Sequence, residues 1–322
     1  MKKPRHHHYV PRFYLGGFAD PDILARDKKE VIWVYEKGKD VRRSSPENEA
    51  KQRDYYAFVE NGFRNVEMEA WFGDLESVVA PIISNLAQNP RHITDSEKQT
   101  LAVFIGTMQM RTPAGRYLSD TRTEPLASKL MKEAASDPAK FRAFAEENYL
   151  LPKSNEEFDL EEIRQGILSG RGDEIATRED MKLLSIIEIG KMVAEVLLNM
   201  SWQTICSGER ESFLISDDPV IAHVIDQRSN KLHLRMGVAT PGANVWFPLC
   251  RTICLRIVNG EESGYGQWVA AGIRYVNKMM MMCAERWVYA SERSEKIKSL
   301  FDRKGGKCSA RTVDLRFEGH NY

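Results

Sequence analysis

Near Trp202 the hydrophobic pattern of this chain changes its period. Upstream, apolar residues recur at helical spacing, as in Leu101, Phe104, Ile105 and Met108 and again in Leu183, Ile186, Ile187, Val193, Val196 and Leu197. The first stripe opens with Thr94-Asp-Ser-Glu97, a capping box in which the threonine caps the first amides and the glutamate reaches back to the Thr94 N–H. A second box, Thr177 to Asp180, opens a helix expected over about 177 to 200, and another helix is expected over about 64 to 87. Downstream come short apolar runs broken by turn residues: SFLIS, PVIAHVI, KLHLRM, NVWFPL and RTICLRIV. They read as antiparallel strands. VIWVYE at 31–36 and YYAFV at 55–59 suggest two earlier strands, and a helix near 265–284, a strand RWVYA, a charged helix to about 302 and a strand ARTVDLRF close the chain. The expected fold is α+β, with a helical middle segment packed against a mainly antiparallel β-rich C-terminal half. Residues 1–60 form a basic arm and short strands, 61–200 a helical region with an acidic insertion at 119–176, and 201–322 the β-rich part, all in one composite domain.

Composition removes several classes. Forty-six basic and forty-six acidic side chains leave no net charge, so a nucleic-acid or anion site must be local. Five cysteines in 322 residues are an odd number in a chain too long to need staples, which fits a reducing cytoplasm. The apolar run SIIEIGKMVAEVLL is cut by Glu188, Lys191 and Glu195, short of the roughly 20 apolar residues a membrane span requires. Cys250 and Cys254 have no second pair or histidine at zinc spacing, and no glycine-rich nucleotide-cofactor loop or hydrolase elbow occurs.

Three places carry chemistry. Lys2, Lys3, Arg5, His6, His7, His8 and Arg12 precede the first acid at Asp20, with Tyr9, Phe13 and Tyr14 between them. Such a mixture suits phosphate contact and base stacking, and His8 titrates near neutral pH as a general acid or base would. Arg111 follows Phe104 and Met108 on the apolar face of its helix and must find a buried partner; Pro113, two residues on, should kink or stop the helix there. Ser216-Asp217-Asp218-Pro219 is a rigid corner between strands, where paired acids could hold a divalent metal, or where one could pair with Arg111.

The segments His8-Tyr-Val-Pro-Arg-Phe-Tyr-Leu15 with Phe18, Arg111-Thr-Pro113, Ser216-Asp217-Asp218-Pro219, Phe247-Pro-Leu249 and Arg286-Trp-Val-Tyr289 stand in an order that resembles the bacterial family called domain of unknown function 4238. That family usually carries Ser-Asp-Asn-Pro at the third motif, where this chain has Asp218, and tends to carry an asparagine at the position of Asn277. The resemblance implies a shared fold and supplies no activity.

Polar residues kept on apolar faces over 270 positions of sequence cost stability unless the fold gathers them, so one shared cleft is expected. The expected function is a cytoplasmic nuclease acting on RNA or DNA, of the toxin or phage-defence kind. His8, Arg111 and Asp217 would be catalytic, Arg12, Tyr14 and Asn277 would bind substrate, and Asp217 and Asp218 would hold Mg²⁺ or Mn²⁺. The basic arm would track the nucleic acid. Two alternatives stand beside it: a non-enzymatic binding or sensor protein with a buried Arg–Asp strut, and an enzyme acting on a small phosphorylated or nucleotide ligand.

Overall fold

The computed structural model describes residues 5–60, 63–65, 67–123, 132–147, 160–170, 179–208, 211–226, 228 and 231–310. The chain divides into two compact units, one of residues 1–116 with 186–322 and the other of residues 117–185.

The first unit begins with β1 (His6–His8), α1 (Arg12–Gly16), α2 (Pro21–Asp27), β2 (Ile32–Glu36), β3 (Arg42–Ser44), β4 (Lys51–Arg53), β5 (Phe58–Glu60) and β6 (Phe63–Asn65). What the sequence suggests as a basic arm is therefore folded from its sixth residue. β1 pairs antiparallel with β4, and Val10, Tyr14, Leu15 and Phe18 are buried behind it. Tyr55 and Tyr56, expected in a strand, lie in the turn before β5.

The helices α3 (Glu67–Gln88), α4 (Asp95–Arg111) and α5 (Pro113–Leu118) follow, and both halves of the Thr94–Glu97 capping box form. Thr112 adopts an extended backbone, φ −72° and ψ 159°, because the ring of Pro113 excludes helical geometry from the residue before it; the helix stops at Arg111 and restarts one residue later. In the second unit, α6 (Pro138–Glu147) and α7 (Leu160–Leu168) accompany a small core of Ala135, Phe141 and Ile167. The next helix, α8 (Glu179–Leu198), runs on into the first unit; its expected cap Thr177 lies outside the described residues. There Gly190 meets Gly106 of α4 so closely that a Cβ on Gly106 would stand 2.1 Å from the Gly190 carbonyl oxygen.

Past Trp202 the strands are β7 (Ser201–Ser207), β8 (Ile215–Ser216), β9 (Ile221–Asp226), β10 (Lys231–Leu234), β11 (Asn244–Cys250), β12 (Ile253–Val258) and β13 (Gly264–Trp268). Helix α9 (Ala270–Cys283), β14 (Trp287–Ala290) and α10 (Glu295–Lys304) complete the described chain, and the expected strand ARTVDLRF falls almost wholly outside it. Six strands form one sheet in the order β10-β9-β11-β12-β7-β13, antiparallel except for the parallel pair β13 and β7. Tyr265 to Trp268 were expected to be helical. They form that parallel edge instead, because Gly264 and Gly266 are poor helix formers and β7 offers a free ladder. A second sheet, β3-β2-β14-β8, joins the N-terminal strands to the C-terminal ones. This is an α+β fold with antiparallel-rich sheets.

Candidate anion-binding site

Strand alternation separates the histidines of the N-terminal motif. His7 points inward with no exposure, accepts the Tyr56 N–H at Nδ1 over 2.9 Å and stacks on the Tyr56 ring. His8 points the other way and is half-buried, with Nε2 3.1 Å from the carbonyl oxygen of Glu47. A carbonyl only accepts, so Nε2 carries the proton and Nδ1 is the basic atom. Burial lowers the His8 pKa, the Glu47 carbonyl opposes this, and the cations of Lys51, Arg111 and Arg12 lower it further. The ring is thus held neutral.

Beside Glu47 opens a groove of about 640 Å³, lined by Arg12, Lys28, Lys29 and Arg43 together with Glu30, Glu47, Ser44 and Ser45. Each cation is presented by a separate local device. Arg12 follows Pro11 at the first turn of α1, and Lys28 closes α2 in a left-handed conformation, φ 54°. On β3 alternation splits two neighbours: Arg42 binds Glu49 at 2.6 Å, whereas Arg43 lies over its cross-strand partner Trp33. All four groove cations are exposed, and none of them is ion-paired to a described residue.

The other expected site residues lie behind this surface. Arg111 is fully buried at the end of α4, where its Nε donates to the Tyr9 carbonyl at 3.1 Å and both terminal nitrogens donate to Glu76 Oε1 at 3.0 Å. The guanidinium carbon lies over the Phe72 ring, 4.7 Å from its centroid. The Arg–Asp strut weighed from the sequence does not form, since the partner of Arg111 is Glu76, supplied by α3 across the helix pair.

Asp217 and Asp218 each have their own partners. Asp217 is 2 % exposed and accepts the amides of Glu285, Arg286 and Trp287 at 2.9, 2.8 and 3.1 Å, which fixes the turn into β14. Burial pushes its pKa up to about 7; the three amides pull it down and the Glu285 carboxylate pushes it up. Asp218 pairs with Arg235 at 2.5 Å and receives the Thr112 hydroxyl at 3.4 Å. Burial raises its pKa and Arg235 opposes the rise. Donors so occupied do not form a metal cradle, and among the described residues no group of three or more His, Cys, Asp or Glu side chains converges on one point.

Asn277 and Tyr14 were expected to touch substrate. In the structure Asn277 clips backbone, accepting the Leu214 N–H at 3.1 Å and donating to the Ser212 carbonyl at 2.8 Å. Tyr14 is buried, stacks on Phe247 and donates to the Pro248 carbonyl at 2.5 Å. The Tyr9 carbonyl next to His8 holds Arg111, and burial first and the Asp217 carboxylate second raise the Tyr9 pKa. Of His8, Arg111 and Asp217 none lines the groove, and His8 comes nearest it through its bond to the Glu47 carbonyl. Of the expected residues Arg12 lines that groove, while Lys28, Lys29, Arg43, Glu76 and Arg235 were missed. The pair Lys28-Lys29 after a helix could have been found; the placement of Arg235 in a loop carried no signal.

Searches for relatives returned no match among curated proteins and none among solved structures. One family model matches residues 6–294, from the His6–His8 strand to the end of the β14 region, and by this match the chain belongs to the family described as "Protein of unknown function (DUF4238)".

Proposed function

We propose that this protein binds a phosphate-bearing ligand, foremost a nucleic-acid strand, in the groove of Arg12, Lys28, Lys29 and Arg43. The carrying observation is four exposed cations, unpaired to any described residue, around one concavity of a chain with no net charge. Unpaired cations that face each other repel, and an anion removes the repulsion. A labelled single-stranded oligonucleotide, as RNA and as DNA, is the test by fluorescence anisotropy. The double variant Arg12→Glu with Arg43→Glu should weaken binding at least tenfold at low salt while its circular dichroism stays that of wild type. Equal affinity in the two proteins, or no binding by wild type, would remove the reading.

Cleavage is the second reading, and one observation favours it. His8 stands beside the groove as a neutral imidazole with Nδ1 basic, the form a general base takes when it removes a proton from a nucleophilic hydroxyl or water. In this reading Arg111 positions the base: it grips the Tyr9 carbonyl next to His8, and its burial keeps it from the scissile phosphate. Such an activity would suit a toxin or phage-defence effector. Purified wild type should cleave RNA or DNA with or without added Mg²⁺ or Mn²⁺, and folded His8→Ala should bind with similar affinity and cleave at least a hundredfold more slowly. Intact substrate in every condition would leave binding alone.

A further inference from the structure

We propose that Cys283 and Cys308 form an oxidisable dithiol, a site of reversible disulfide formation that ties the segment 305–310 to the end of α9. Cys283 is the last residue of α9, and the chain after α10 returns alongside it. The Gly306 amide donates to the Met281 carbonyl at 3.1 Å and the Cys308 amide donates to the Met282 carbonyl at 2.8 Å. With standard peptide dimensions, the second bond leaves at most about 7 Å between the Cα atoms of Cys283 and Cys308. Disulfides span about 4.4–6.8 Å between Cα atoms. A third tie holds the two residues together, because the Arg235 guanidinium donates to the Cys308 carbonyl at 2.6 Å and also to the Cys283 carbonyl.

The two thiols differ in their access to a solvent-borne disulfide. Cys308 is half-exposed, whereas Cys283 is buried and its thiol is pushed up to about 12 by that burial, with Arg235 pulling the other way. The first attack therefore falls to Cys308. Its thiolate attacks one sulfur of glutathione disulfide, breaks the S–S bond and releases one glutathione thiolate. The Cys283 thiol then attacks the sulfur of Cys308, gives up its proton to a glutathione thiolate as the new S–S bond forms, and displaces the second glutathione. The two cysteines lose two electrons, glutathione disulfide gains them, and the two thiol protons end on two glutathione thiols. The bond would reinforce the turn that leads to the 285–287 amides around Asp217.

The full chain is incubated with excess glutathione disulfide, unfolded in acid, alkylated at its free thiols and digested without reduction for mass spectrometry. A peptide containing Cys283 should appear linked to one containing Cys308, two hydrogens lighter than their sum, with Cys206, Cys250 and Cys254 alkylated. The oxidised wild type should melt above the reduced protein, and Cys308→Ser, which removes only a half-exposed thiol, should keep the fold and show neither the link nor the rise. A Cys308 that carries only glutathione, a link to any other cysteine, or alkylation of both Cys283 and Cys308 would overturn the proposal.

Discussion

Asp217 shows how one buried side chain can organise a whole corner and still be titratable. Its two oxygens receive three main-chain amides, and each such bond to a charged acceptor contributes about 1.5–3 kcal/mol when the acceptor is ionised. Burial resists that ionisation and moves the folded pKa from the ordinary carboxylate range to about 7. A folded pKa above the unfolded one means that the native state holds the proton over the interval between them. The contribution of this group is then fully present below the unfolded pKa and is lost as pH rises toward and through about 7. Asp217→Asn removes the titration but keeps the shape. The melting-temperature advantage of wild type over Asp217→Asn should accordingly shrink between pH 5 and 8, and an advantage that grows over that range would show the carboxylate to be ionised in the native state throughout.

At the scale of elements, the contact between α4 and α8 depends on two glycines. A Cβ on Gly106 would lie 2.1 Å from the Gly190 carbonyl oxygen, and one on Gly190 would lie 2.7 Å from Thr107 Cγ2. Neither backbone can yield without moving its helix, and α4 ends in Arg111, which grips both Tyr9 and Glu76. Gly106→Ala should cost at least about 1–3 kcal/mol in denaturant unfolding, the usual range for overpacking. Gly73 in α3 is the control: nothing lies within 4 Å of its Cβ position, so Gly73→Ala should stabilise by up to about 1 kcal/mol through helix propensity. Equal effects at the two positions would mean that the helices are free to separate.

At the scale of the molecule, the chain carries no net charge, and the groove sets the four cations Arg12, Lys28, Lys29 and Arg43 beside the carboxylates of Glu30 and Glu47. Binding that rests on four cations should fall with salt at a logarithmic slope of about −3 for a single strand, and a long-range basic surface would give a steeper one. All the candidate site residues belong to the unit of residues 1–116 and 186–322, so the groove, the Arg111 bridge and the Asp217 corner share one framework. That framework is built by the four-stranded sheet, in which β2 from the N-terminal region pairs with β14 from the C-terminal region. Among the described residues no helix is long and apolar enough to cross a membrane.

The sequence by itself determined what depends on neighbours in the chain. The capping box at Thr94, the helix stop at Thr112 before Pro113, the change to strands after Trp202 and the inward need of Arg111 all rest on interactions within a few residues or on one apolar face. Local spacing also pointed to a ladder-free helix at 265–284 and missed β13, because whether GYGQW becomes a strand depends on the open edge of β7 some sixty residues away. The same limit governs the site. That Arg111 needs a partner follows from its position on the helix, but the choice of Glu76 over Asp217 is made by the crossing of α3 and α4. Asp217 was marked as chemical by its type; the arrival of β14 turned it into an acceptor of three amides. Arg12, Lys28, Lys29 and Arg43 carry no joint signal along the chain, and only the folding of α1, α2 and β3 brings them to one groove. Long-range pairing decides such matters because side-chain partners are chosen by distance in space, which local sequence does not encode.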